Sequence, residues 1–326
     1  MAIGTESDFV IYSAQFWSGV VEVLQQNTEA FNAASNNALR LVTRNILGDY
    51  EKESFLKSTA GLISYRNVTL QGTISDNKIV QGEQVGVKIS RRIGPVAQDR
   101  NSFRKAGLDP QEFSYMLGAQ TGPSIAVDYV NVAVAAVRAA ISGQSSLQYD
   151  ATQDTLTTLN HTAMAGGMSK FGDRSGRLVC WAMHSKNYFD LMKQQIADKL
   201  FEVAGATVYA GTMATFGKPV VVVDSPSFAT TSASVATVYD VLLLTENAAE
   251  IAESEDRDII SQPITGLENL ADRIQGEYAF NLKVKGVTYN VANGANPTNA
   301  SIASSANWTS IVADLKEYPG VRISCH

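Results

Sequence analysis

The stretch that decides the fold is Arg177–Leu191, RLVCWAMHSKNYFDL. It places Cys180 four residues before His184, two of the few reactive side chains in the chain. It reads either as a cysteine–histidine active site or as a buried strand turning into a helix. Val179, Trp181 and the glycine-marked approach FGDRSGR (171–177) favour extended backbone. On a strand, positions 180 and 184 share a face but lie roughly 13 Å apart at the usual rise, beyond hydrogen-bond reach of a nucleophile and its base. The segment therefore predicts a strand with a buried cysteine, a histidine at the strand–helix junction, and Ser185 capping the helix that follows. No residue nearby would orient the histidine for catalysis.

Working outward, residues 154–246 alternate between helix and strand signals. DTLTTLNHTAMAGGM (154–168) predicts a helix ending in glycines. KPVVVVDSP (218–226) and TVYDVLLLTE (237–246) predict two more strands. The unbroken run Val220–Val223 predicts burial on both faces of a covered sheet. GTMATFGKP (211–219) resembles a phosphate loop but has five residues between its glycines and Pro219 where Ser or Thr should bind magnesium. It reads as a turn into the Val220 strand.

Upstream, Asp109 before Pro110 marks one helix start and Thr121-Gly122-Pro123 a second. From there Val127, Val130, Val134, Val137 and Ile141 recur at helical spacing, and Gly143 closes the helix. Asp128, Asn131 and Arg138 within it indicate a packed helix rather than a bilayer span. RNVTLQG (66–72) and EQVGVKISRRIG (83–94) alternate apolar and polar residues. They predict a two-stranded hairpin in which Val68 and Leu70 answer Val85, Val87 and Ile89. Residues 61–106 hold eight Lys or Arg against three acids. Residues 1 to about 55 suggest helical pieces, with Phe16, Val20, Val23 and Leu24 on one face and ALRLVTRNIL (38–47) repeating the pattern.

Downstream, ENAAEIAESEDRD (246–258) carries six acids and one base. GLENLADRIQGEYAFNLKVKGVTYNV (266–291) predicts a short helix and a long strand, with Tyr278, Phe280, Leu282 and Val284 alternating with Glu277, Ala279, Asn281 and Lys283. One face of that strand is expected to be exposed or shared. NGANPTNASIASSAN (293–307) reads as a linker, and NWTSIVADLKEYPGVRI (307–323) as a last small helix and strand.

Composition narrows the function. The 326 residues are 45% apolar and 18% charged, with net charge −6, which argues against general nucleic-acid binding. The two cysteines, Cys180 and Cys325, supply neither a disulfide framework nor a cysteine-rich zinc site, which fits a reducing cytoplasm. The three histidines lack metal-ligand spacing, so no catalytic residue, cofactor or metal is expected. Neither a secretory leader nor a membrane span is expected. A long arm, a basic hairpin, a long helix and an α/β unit remain, with features that one subunit cannot bury alone.

In that order the parts resemble the major capsid proteins of tailed double-stranded DNA phages with the Hong Kong 97-like (HK97-like) α+β fold. LVCWAMHSKNYFDLM (178–192), GTMATFGKPVVVVDSP (211–226) and VYDVLLLTENAAEI (238–251) carry the resemblance. GLENLADRIQGEYAFNLKVKGVTY (266–289) and the tail from Asn296 are similar to the gp13-like branch. The resemblance implies an N-arm at 1–58 and an E-loop hairpin at 59–106. It further implies a peripheral (P) domain with a spine helix at 107–153, an axial (A) domain at 154–250, and a return to the P-domain at 251–326. It implies self-assembly into hexamers and pentamers of an icosahedral or elongated head, made in the host bacterial cytoplasm and forming the virion capsid. Partners would be a portal, scaffolding or decoration proteins, and packaged DNA touched without sequence preference, with no membrane. The arm begins almost at Met1, so a separate scaffold, or none, is expected rather than a fused one. Lys88, Arg91 and Arg92 are candidates to meet Glu253, Glu255 and Asp256 of a neighbour. An encapsulin-like nanocompartment shell is the alternative, and an α/β enzyme with a helical extension ranks below both.

Overall fold

The computed structural model describes residues 29, 31–44, 46, 48–56, 65–66, 68–69, 72–73, 81–99, 110–202, 215–232, 235–253, 258–266 and 271–326. Its first elements are β1 (Leu39–Thr43), β2 (Tyr50–Leu56), β3 (Gln81–Asp99), helix α1 (Pro110–Ser142) and β4 (Gln148–Asp150). Next come α2 (His161–Ser169), β5 (Leu178–Met183), α3 (Ser185–Glu202), β6 (Val220–Val222), β7 (Ala229–Ser232) and β8 (Val235–Thr245). The last part holds β9 (Ala249–Glu253), β10 (Asp258–Ile264), β11 (Ala271–Val284), β12 (Val287–Tyr289), α4 (Asn299–Ile302), β13 (Trp308–Ser310) and β14 (Gly320–Cys325).

The described strands form two six-stranded sheets and a small β12–β13 pair. The first sheet runs β1-β9-β11-β3-β2, with β10 also on β11. The second runs β4-β14-β8-β5-β6, with β7 also on β8. Helix α1 has 33 residues, about 50 Å at the standard rise, and packs on β9 and β11 of the first sheet and on β14 of the second. It is one helix where the sequence offers two starts, and Pro123 lies inside it. Val130, Val134, Val137 and Ile141 are buried as their spacing predicts, whereas Val127 is 56% exposed. By length and composition Tyr115–Ser142 could cross a bilayer, yet 67% of its most apolar window is buried within this fold.

The second sheet follows from the opening stretch. Leu178, Cys180, Trp181, Ala182 and Met183 on β5 are buried, and the Trp181 Nε1–H donates to the Thr215 carbonyl at 3.2 Å. Val241–Leu244 on β8 lie mid-sheet and are buried on both faces. Val220–Val222 differ from their expectation: β6 is the outer strand, and Val222 is 43% exposed. An apolar run reports strand propensity but not which strand takes the edge. Helix α2 continues past its glycines to Ser169. Gly166 and Gly167 form its packing face, where a Cβ would stand 2.6 Å from the Tyr149 ring and 2.5 Å from Ile323 Cδ1.

Arg138 of α1 and Arg322 of β14 both donate to the carboxylate of Asp240 on β8, whose side chain is fully buried. Ser324 Oγ donates to the same carboxylate at 2.8 Å. This triad fastens the C-terminal half of the helix to the second sheet.

Four sequence expectations are corrected in the first sheet and its surroundings. ALRLVTRNIL contains strand β1, parallel to β9, rather than helix; Asn36 and Asn37 at φ 51° and 54° turn the chain into it. Val85, Val87 and Ile89 pair with β2 and β11, not with Val68, which sits in a turn and is 80% exposed. A strand needs a partner of matching register, and β2 and β11 supply it. The short helix expected from Gly266 is extended from Ala271, with 267–270 outside the described residues. The 293–307 stretch packs rather than links: α4 lies against α1, and Ile302 is fully buried. The 251–326 segment divides, with β9–β11 in the first sheet and β14 in the second. Phe16, Val20, Val23 and Leu24 lie outside the described residues.

Candidate inter-subunit surface

Strand β3 aims alternate residues at opposite faces of the first sheet. Val87, Ile89 and Arg91 point toward α1; Lys88 and Arg92 belong to the other face. Arg91 Nε donates to Asp128 Oδ2 on α1 at 3.0 Å, and its Nη2 donates to Asn299 Oδ1. The guanidinium also stands 5.9 Å from the Phe280 ring centroid. The Tyr278 hydroxyl donates to the same Asp128 oxygen at 3.0 Å. Burial, and then the Asp128 charge, push the Tyr278 phenol well above its ordinary range.

Glu253 closes the other side of this cluster. The Tyr129 hydroxyl donates to Glu253 Oε1 at 3.3 Å, and the Tyr129 ring meets Phe280 edge-on with centroids 4.8 Å apart. Arg91 and Glu253, expected to reach for a neighbour, therefore converge within one chain on the same helix turn. Glu255 and Asp256 lie outside the described residues. Lys88 is half-buried opposite Asn281, and Arg92 is exposed opposite Glu277.

The polar face carries a network that the sequence did not reveal. Lys283 of β11, only 8% exposed, sits 2.9 Å from Glu51 and 2.6 Å from Glu53 of β2. Arg44 joins Glu51 to Glu250, and Asn281 Nδ2 donates to Glu51 Oε2. The face expected to be exposed or shared is both: Glu277 is exposed, while Ala279, Asn281 and Lys283 are buried under the neighbouring strand's charges. Alternation correctly marked Lys283 as polar, but its partners come from about 230 residues away.

The opening question is settled by geometry. His184 Nδ1 accepts the Lys186 N–H at 3.2 Å, and Asp224 accepts the Ser185 N–H at 3.1 Å. His184 and Asp224 cap helix α3, and Ser185 is its first residue rather than its cap. Hydrogen bonds from Ser185 hold the Asp224 carboxyl below its usual range. Burial pushes the Cys180 thiol up to about 12, the opposite of an activated nucleophile. Lys218, from the loop-like motif, donates to the Leu178 carbonyl and positions the turn into β6. Among the described residues no three His, Cys, Asp or Glu side chains cluster to hold a metal.

Comparison with known proteins agrees with this architecture. The family described as Gp13-like, major capsid protein 13-like, matches residues 8–322. No curated protein sequence matches. A chain from Mycobacterium phage Bobi is 12% identical with a TM-score of 0.52, covering 89% of each chain. One from Microbacterium phage Oxtober96 is 13% identical at 0.51, covering 89% of this chain and 90% of that one. One from the cyanophage Pam1 capsid is 12% identical at 0.51, covering 87% and 88%. At these identities the likeness concerns the fold alone.

Proposed function

The chain belongs to the Gp13-like family of major capsid proteins, and from that premise we propose how its parts build a phage head. It is a structural, non-catalytic subunit of the virion shell that self-assembles into hexamers and pentamers around double-stranded DNA. The HK97-like segmentation follows the two-sheet plan except at β4 and β14, which join the second sheet. The first sheet and α1 form the P-domain with its spine helix, and the second sheet, including β14, forms the A-domain. Within the first sheet, β1 and β2 fall inside the N-arm bounds and β3 inside those of the E-loop. A portal, scaffolding or decoration proteins and packaged DNA are its further partners. Assembly takes place in the host cytoplasm.

The observation that carries this reading is the family match across residues 8–322. The ion-pair contact with a neighbour centres on Arg92, exposed on the outer face of β3, meeting Glu255 and Asp256; Arg91 and Glu253 also serve the helix–sheet clamp of their own chain. The test is negative-stain microscopy beside light scattering of the chain expressed alone and with a scaffold. Closed shells or capsomer-sized rings are expected; a monomer or dimer that stays unassembled when concentrated and scaffolded would overturn the reading.

A further inference from the structure

β10, the first half of β11 and the end of β3 form a three-stranded antiparallel ribbon. Its outer face is a shallow cleft lined by Asp258, Ile260, Gln262, Arg273, Gln275 and Glu277. The register places these six in cross-strand rows: Asp258 opposite Glu277, Ile260 opposite Gln275, Gln262 opposite Arg273. Directly opposed residues share a face, and all six are exposed, while Ile259 and Ile274 on the reverse face are buried.

Two features of this face are costly for a subunit on its own. Ile260 leaves an apolar side chain 55% exposed at the centre, and Asp258 and Glu277 place like charges directly opposite each other, which destabilises a sheet. The charges are also ordered. One end carries Asp258 and Glu277, with Arg92 beside Glu277 on β3, for a local charge of −1. The other end carries Arg273 beside Gln262 and Ala97, for +1.

We infer that this face is an isologous contact with a second copy of the chain, centred on Ile260 and Gln275. A two-fold axis through that row lays Ile260 against Ile260, and places Arg273 of each copy over the Asp258–Glu277 pair of the other. An apolar centre with a charged rim is the anatomy of a protein interface, and a patch carrying both halves of its own complement selects another copy of itself. The inference rests on the shell-subunit reading for its biological setting.

Arginine 273 reversed (R273E) and the acids reversed (D258R/E277R) each set like charges against like across the axis. Either variant alone is expected to lose on the order of tenfold or more in pairwise association. Mixed one to one, they place opposite charges at both ends, so sedimentation velocity should recover the wild-type species only in the mixture. Ile260→Cys, lying on the axis, should form a disulfide-linked dimer under mild oxidation. Loss in both variants without rescue on mixing, or no loss in either, would overturn the inference, as would an Ile260→Cys chain that stays monomeric. Shell formation by the wild-type chain is scored separately: shells without charge rescue refute the contact alone. Rescue and crosslinking without shells refute the capsid reading and leave the contact standing.

Discussion

Gly320 begins β14 with its backbone against β8; a Cβ there would stand 2.1 Å from the Leu243 carbonyl oxygen. No side chain can yield, because the obstacle is main chain in the middle of the second sheet. Gly320→Ala should destabilise the fold by about 3 kcal/mol, the scale of forced overpacking, read as a lower urea midpoint; an unchanged midpoint would mean β14 docks differently. The buried thiols give a second residue-scale outcome. Burial raises both Cys180 and Cys325 to about 12, whereas unfolded cysteine titrates near 8.5. Their contribution to stability is therefore complete below about pH 8.5 and declines as pH rises toward 12. The slope is at most about 1.4 kcal/mol per pH unit for each thiol. Urea unfolding at pH 8.5 and 10.5 under reductant should show a shallower decline for C180A/C325A than for wild type; parallel declines would refute it. Cys180 was legible as a buried strand residue because its neighbours are apolar. The capping role of Asp224 was not, since it reaches His184 and Ser185 only once β6 has paired with β5.

At the scale of elements, the chain joins two sheets by one helix, and α1 has a polar fastening to each: Asp128 and Tyr129 to the first sheet, Arg138 to the second. Asp240 stands out in TVYDVLLLTE as an acid inside an apolar run, yet its two arginines lie 102 and 82 residues away, so the run alone reads as a plain core strand. Removing the charge by Asp240→Asn leaves two guanidiniums facing a buried neutral amide, and should cost about 3–5 kcal/mol. An apolar replacement of the triad, R138M/D240L/R322M, should recover most of that loss. Urea denaturation of the pair of variants distinguishes this from a packing defect, which the triple change would deepen. Long-range partners also explain the misread elements. Leu39–Thr43 has the spacing of a short helix, but the unfilled edge of β9 is worth more to it than its local preference. The long helix and β8 were readable because their periods persist over many residues. Where a segment is short, as in β1 and β6, the neighbouring strand decides.

Across the whole molecule, the charge of −6 opposes the packing of many identical copies that the family requires. At about 10 mM salt the screening length is roughly 30 Å, long enough for neighbouring subunits to feel one another's net charge; at about 150 mM it shrinks to roughly 8 Å. Local pairs such as Arg273 over Asp258 and Glu277 act at a few ångströms, and each exposed pair is worth only about 0 to 1 kcal/mol. Long-range repulsion should therefore fade first, and apolar contacts such as the one centred on Ile260 are insensitive to salt. The initial rate of light scattering, at fixed subunit concentration, is expected to rise between about 10 and 150 mM NaCl and then level off. A rate that falls steadily from the lowest salt would mean that oppositely charged patches steer the encounter, and that the basic strand β3 and its acidic counterparts outweigh the net charge in bringing subunits together.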